Sequence, residues 1–135
     1  MCLGSPPARL VFSFLGNASL YPPLPESNGK ELLLWLLRRR RRFQVTGRSM
    51  MPLLQAGDQV LVDLLAYRHK LPQVGDIVVA QHPKKAEIRM IKRVALIFEQ
   101  SCFLVGDNRL ESTDSRSFGC VPFELLQGGV TSRLP

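Results

Sequence analysis

From Phe43 onward the chain is cut into short apolar runs by Gly-Asp pairs at Gly57-Asp58, Gly75-Asp76 and Gly106-Asp107. Glycine supplies the backbone conformations a tight reversal needs, and aspartate hydrogen-bonds back onto the chain that follows, so each pair separates one run from the next. The runs are strand-like: Val60 and Val62 alternating with Leu61 and Asp63, Ile77–Ala80, a longer stretch Glu87–Ile97, Phe103–Val105 and Val130–Arg133. Short strands at this spacing predict a mostly β domain over 43–135, a largely antiparallel sheet or barrel. The residues flanking the Gly-Asp pairs do not otherwise match, so the pairs are turn chemistry and not an internal repeat. A chain of 135 residues has material for one core and not two.

Upstream the texture changes. Residues 1–28 hold five of the ten prolines and little periodicity, which predicts a disordered extension. Asn28 with Glu31 three residues on marks a helix start, so 29–42 is expected to be a short helix whose arginine-rich end suits the negative pole of its dipole. The net charge is +7, and Arg38–Arg42 supplies five of those charges, leaving +2 for the rest. One local basic patch does not imply a nucleic-acid partner. Leu32–Arg42 is either a packed helix followed by a solvated charge run, or a peripheral contact in which Leu and Trp rest on an anionic membrane and the arginines meet lipid phosphates. No apolar run approaches the roughly 20 residues of a membrane-crossing helix, and Arg9 before Leu10–Leu15 makes a poor signal peptide. A soluble, cytoplasmic protein is therefore expected. Cys2, Cys102 and Cys120 are an odd, widely spaced set without C-x-x-C, so neither a disulfide framework nor a metal site is expected, and no cofactor.

Three clusters can carry chemistry. The first is Gly47-Arg48-Ser49-Met50-Met51-Pro52, a serine in a turn between β segments; it is not a Gly-x-Ser-x-Gly elbow, because Met51 stands at the second glycine. A serine nucleophile needs a base. His69 and His82 lie in polar, turn-like surroundings and read as surface residues. Alternation along Glu87–Ile97 puts Ile88, Met90, Lys92, Val94 and Leu96 on one face and Arg89 and Arg93 on the other. Lys92 is the lone charge on that apolar face, where burial would favour the neutral amine, unless its chain snorkels to the sheet edge. The third cluster is the loop Gly106–Gly119, where Asp114 and Arg116 can form a buried ion pair and hydroxyls can orient an amine, or the whole can be a self-satisfied turn network.

Together these clusters resemble the type I signal peptidases, serine proteases with a Ser/Lys dyad. The Ser-Met-x-Pro box matches up to Pro52, the Lys-Arg box matches Ile91-Lys92-Arg93-Val94, and Gly-Asp-Asn-Arg-x-x-Ser-x-Asp-Ser-Arg-x-x-Gly matches at every fixed position from Gly106 to Gly119. The resemblance spans about Phe43 to Leu134 and implies a fold of coiled antiparallel sheets. It implies Ser49 as nucleophile and Lys92 as general base, with Ser112 holding the amine and Asp114 and Arg116 bracing the site. Where many relatives carry a serine that helps the oxyanion hole, this chain has Gly47, which leaves the hole to the backbone N–H of Ser49. Met50, Met51 and Pro52 would border the substrate.

No anchor is expected ahead of Ser49, and the compact chain with its Gly-Val-Thr-Ser-Arg-Leu-Pro tail looks most like the nickel-type superoxide dismutase maturation proteases. That resemblance implies a precursor protein as partner, its N-terminal leader removed, with an ordinary signal peptidase acting on secretory precursors as the alternative. A self-cleaving regulator of the LexA type fits poorly, since Ala56-Gly57 follows the nucleophile and residues 1–42 hold no helix-turn-helix. A non-enzymatic membrane- or peptide-binding relative is the remaining class.

Overall fold

A computed structural model describes residues 23–37 and 39–135; most of the extension expected over 1–28 lies outside the described residues. The mostly β architecture forms as one curled sheet of seven strands. In chain order these are β1 (Arg41–Gln44), β2 (Gln59–Asp63), β3 (Ile77–Gln81), β4 (Arg89–Ile97), β5 (Ser101–Val105), β6 (Val121–Pro122) and β7 (Leu126–Arg133). They lie in the order β1-β2-β7-β3-β4-β5-β6, every pair antiparallel. The last strand therefore sits between β2 and β3 and joins the two halves of the sheet.

Helix α1 (Gly29–Leu36) begins as expected, with the Asn28 side chain accepting the Glu31 N–H at 3.0 Å. It ends sooner than 42, because Arg41 and Arg42 already pair with Val62 and Leu61 in β1. Like charges three and four apart repel along a helix, whereas a strand sends consecutive side chains to opposite faces. Residues just before the helix run beside β7: the Ser27 N–H donates to the Arg133 carbonyl, and the Arg133 N–H to that of Pro25, each at 2.9 Å.

Alternation divides the interior. Val60, Val62, Ile77 and Val79 pack on one face with Val45, Met50 and Leu54 from the segment joining β1 to β2. Val78, Ala80, Met90, Val94, Cys102, Leu104 and Val121 pack on the other. The register of β4 against β5 shifts between Val94 and Leu96. One inserted residue reverses the parity beyond it. Met90 and Val94 are thus continued by Ile97 on their face, while Leu96, expected there, packs beside Ala95, Phe103 and Val105.

Candidate active site

Ser49 and Lys92 come from different kinds of element. Ser49 opens a tight turn after Gly47, whose φ of +77° is a conformation that side chains with a Cβ rarely adopt. The turn is pinned from below by Met50, which is buried against Leu54 and Val60, and closed by the Leu54 N–H donating to the Met50 carbonyl at 3.0 Å. Lys92 lies within β4 opposite Val78 and is only 5% exposed. Burial lowers its pKa from the ordinary lysine value; the Asp114 charge opposes that shift and the Arg116 charge adds to it.

Both residues line one cleft of about 430 Å³, together with Thr46, Gly47, Met50 and Ile91. The cleft exists because β4 outruns its neighbour. The β4–β5 ladder begins at Arg93 opposite Val105, while β3 accompanies β4 from Arg89. The His82 N–H donates to the Ile88 carbonyl at 2.9 Å, so the antiparallel alternation turns the backbone groups of Arg89 and Ile91 away from β3 and toward the cleft. On the opposite wall Asp58 and Gly57 take the backbone groups of Val45, which leaves those of Gln44 and Thr46 on the free edge.

The loop 106–119 closes the remaining side. Asp114 is fully buried; it accepts the Gly106 N–H at 2.9 Å, the Ser112 hydroxyl at 2.6 Å, and Arg116 through Nε at 2.8 Å and Nη2 at 2.5 Å. Burial alone would raise its pKa, but the hydrogen bonds from Arg116, Gly106 and Ser112 outweigh it and hold the carboxyl below its ordinary value. Asp114 also caps the short helix α2 (Ser115–Phe118), accepting the Arg116 N–H, and the Ser115 hydroxyl accepts the Leu104 N–H of β5 at 2.8 Å. Because Ser112 gives its proton to Asp114, its oxygen lone pairs are left to accept from an amine.

The same loop reaches the serine turn. The Asn108 N–H donates to the Ser49 carbonyl at 2.8 Å, and its side-chain amide to the Arg48 carbonyl at 3.1 Å. Gly106 is where the parts converge: a Cβ there would overlap the Ser112 side chain and fall 2.6 Å from the Ser49 carbonyl oxygen. Next to it, Asp107 accepts Arg93 through Nε and Nη2, both at 2.8 Å, with each side chain nearly buried. Arg93 faces away from Lys92, as alternation requires, yet is buried because this bidentate partner compensates its charge.

Of the residues singled out from the sequence, Gly47, Ser49, Met50 and Lys92 line the cleft, while Ser112, Asp114 and Arg116 form the hydrogen-bonded support. Met51 and Pro52 do not line it; their peptide bond is cis. Arg93, Asp107 and Asn108 went unassigned, although all three stand inside the matched motifs. His82 lines the cleft, with its ring 4.7 Å from that of Phe118 and Nδ1 accepting the Lys84 and Lys85 N–H groups. Among the described residues no three His, Cys, Asp or Glu side chains converge in a metal-binding arrangement.

A family model described as signal peptidase, peptidase S26, matches residues 33–97 and 95–134. Mitochondrial inner membrane protease subunit 1 of Xenopus tropicalis is 33% identical over 109 residues, covering 66% of this chain and 65% of that protein. Mitochondrial ATP-independent inner membrane protease subunit 1b of Arabidopsis thaliana is 33% identical over 112 residues, 65% of this chain and 66% of that protein. Signal peptidase I of Buchnera aphidicola is 41% identical over 64 residues, 38% of this chain and 20% of that protein. The chain thus spans just under two thirds of the length of the two mitochondrial relatives. Their names overturn the expectation of a cytoplasmic protein, which rested on the missing span: relatives of this sequence are proteases of an inner membrane. Among the described residues no helix is long and apolar enough to cross a membrane.

Proposed function

The chain belongs to the signal peptidase family, peptidase S26, and on that premise we propose that it is a serine endopeptidase that removes N-terminal leaders from precursor proteins with a Ser49/Lys92 dyad. The observation that carries the reading is the shared cleft, in which a surface-accessible serine and a buried lysine of lowered pKa stand between two free strand edges. An extended precursor segment enters between those edges and pairs with the backbone groups of Gln44 and Thr46 on one side and of Arg89 and Ile91 on the other. Neutral Lys92 takes the Ser49 hydroxyl proton as Oγ bonds to the scissile carbonyl carbon. The developing oxyanion is held by the Ser49 backbone N–H in the turn that Gly47 permits. The C–N bond then breaks, the Lys92 ammonium gives its proton to the leaving amine, and the leader remains as an ester on Ser49. Lys92 next takes a proton from water, which attacks the ester and frees the leader carboxylate. Ser112, with its own proton committed to Asp114, accepts from the Lys92 amine and aims its lone pair; Arg116 keeps Asp114 ionised.

The relatives' names favour precursors processed at a membrane, the general signal-peptidase reading, over the leader of a nickel-type superoxide dismutase. The dismutase precursor is the narrower alternative, suggested by the compact sequence and its tail. Incubating the purified chain with a secretory precursor and, separately, with that dismutase precursor, followed by mass spectrometry, distinguishes them. A single cut that frees the secretory leader, absent in Ser49→Ala, is the expected result. A cut in the dismutase precursor alone would select the narrower reading, and no cut in either would overturn both.

A further inference from the structure

Apart from the buried Lys92, the charged side chains that line the cleft are Arg48, Lys85, Arg89 and Glu111. Arg48 and Glu111 face each other at 3.9 Å, whereas neither Lys85 nor Arg89 makes an ion pair with any described residue. Glu87, the carboxylate between them in the chain, is exposed and does not line the cleft. Both cations belong to the hairpin that joins β3 to β4. Gln81 pairs with Arg89, the His82 N–H donates to the Ile88 carbonyl, and the Ile88 N–H donates to that of Lys85, the last two at 2.9 Å. Within the turn His82 Nδ1 accepts the Lys84 and Lys85 N–H groups at 3.0 and 3.1 Å, and its ring rests against Phe118 of α2. The backbone that carries the two cations is therefore fixed, although both residues are exposed.

Arg89 also reaches across the cleft. Its guanidinium lies over the Phe43 ring, 5.8 Å from the centroid, so β1 and β4 are level at these two residues. From that level the chain runs on from β1 to Ser49, and along β4 to Lys92. The cleft thus extends from Ser49 and Lys92 to the Arg89 end, while the loop 106–119 closes the other side. The Phe43 ring covers one face of the guanidinium and orients it. Its N–H edge, the part that pairs with a carboxylate, is left unused.

We propose that Arg89 and Lys85 form a subsite for an acidic side chain of the substrate, on the leader side of the cut; the choice of the leader rests on the proposed function. The half that stays bonded to Ser49 is the leader, and a folded mature domain cannot thread between two strand edges. Lys92 is three residues from Arg89, roughly 10 Å at strand rise, so an extended leader presents the fourth residue before the cut, or a neighbour of it, to the guanidinium. Glu or Asp there meets a donor held in place by Phe43 and a second cation in Lys85. Lys or Arg there meets like charge. Selection thereby comes from repulsion as well as attraction.

The test uses the full chain with Ser49→Ala, which binds without cutting. It is titrated with fluorescent peptides spanning the leader junction of a secretory precursor, identical but for Glu, Gln or Lys at the third, fourth or fifth residue before the cut. Anisotropy should rank them Glu, Gln, Lys in falling affinity, each step about fivefold at low ionic strength, and high salt should narrow the spread. Adding Arg89→Glu should invert the order, which a general attraction of a basic chain for acidic peptides would not do. Lys85→Glu should narrow the spread without Arg89 being touched. Each readout is a ratio within one protein, so any change in backbone pairing at residue 89 cancels. Because binding is read without chemistry, the acidic preference is measured even if the wild type cuts none of these peptides, a result that would count against the proposed function alone. Equal or undetectable binding at all three positions, or an order that Arg89→Glu leaves unchanged, would overturn the subsite. A larger gain from Glu placed after the cut would overturn its position on the leader.

Discussion

The two walls of the cleft hold Ser49 and Lys92 by opposite means. Lys92 is part of a regular strand, in register with β3 and buried by the side chains around it, so its chemistry follows from where the sheet puts it. Ser49 belongs to no ladder; its turn is anchored by Met50 beneath and by two hydrogen bonds from Asn108, a residue nearly 60 positions later. The difference follows from what each group must do in the proposed reaction. A base at neutral pH requires a dry site that disfavours the ammonium, and a strand interior supplies one. A nucleophile requires access, which a strand interior denies, so its placement depends on hydrogen bonds from elsewhere.

The largest test of this contrast removes each reactive group. Ser49→Ala and Lys92→Met should each lower peptide cleavage by about three powers of ten or more, measured by initial rate, but their thermal stabilities should diverge. The buried amine binds its proton less readily in the folded chain than in the unfolded one. It therefore weakens folding progressively as pH falls from the ordinary lysine pKa toward the depressed one, and by a constant amount below that. Lys92→Met removes this cost and should melt no lower than wild type, whereas Ser49→Ala should be neutral. If Lys92→Met unfolds the protein, the lysine is structural and the contrast fails.

The pH profile sharpens the same point. With the neutral amine as the active form, kcat/KM should rise about tenfold per pH unit below the depressed Lys92 pKa and level off above it. A rate that falls steadily from about pH 6 to 9 would contradict a lysine base.

Asp114 serves both walls, and removing its charge should cost less than either reactive group. Asp114→Asn leaves the Arg116 guanidinium without its counter-charge and turns one of the two acceptor oxygens shared by Arg116 and Ser112 into an amide donor, which should lower stability by about 3 kcal/mol in denaturant melts. The wild-type contribution of Asp114 is complete above the ordinary carboxylate pKa and is lost as pH falls through its lower folded value. Asn108→Ala is the mildest change. It deletes the bond to the Arg48 carbonyl but keeps the backbone bond to Ser49, so it should cost about 1 kcal/mol and lower kcat severalfold with little effect on KM. An equal loss of kcat in Asn108→Ala and Ser49→Ala would mean that the turn has no support of its own from Met50.

The strands were legible because their signals are local. Gly-Asp reversals and β-branched runs place β2, β3, β4 and β5 to within a few residues, and Asn28 with Glu31 marks the start of α1. The lone charge on an apolar face singled out Lys92 by alternation alone. Leu96 was misplaced because one bulged residue reverses parity, and nothing in Val94-Ala95-Leu96 announces it. Arg41 and Arg42 were placed at a helix end because the pattern leading up to them is helical; only the open edge of β2 draws them into a strand.

What the sequence by itself determined is the inventory: the turns, the alternating runs, and three motifs with a serine, a lysine and an Asp/Arg pair. Those depend on residue type and on neighbours a few positions away. Tertiary structure decided that β7 enters between β2 and β3, that β4 extends past β5 to open a cleft, and that Asp107 and Asn108 turn motif neighbours into the ties holding Lys92's strand and Ser49's turn. These are contacts between segments far apart in the chain. Their energy comes from burial and hydrogen bonds that exist only once the sheet has curled, so local pattern carries no trace of them.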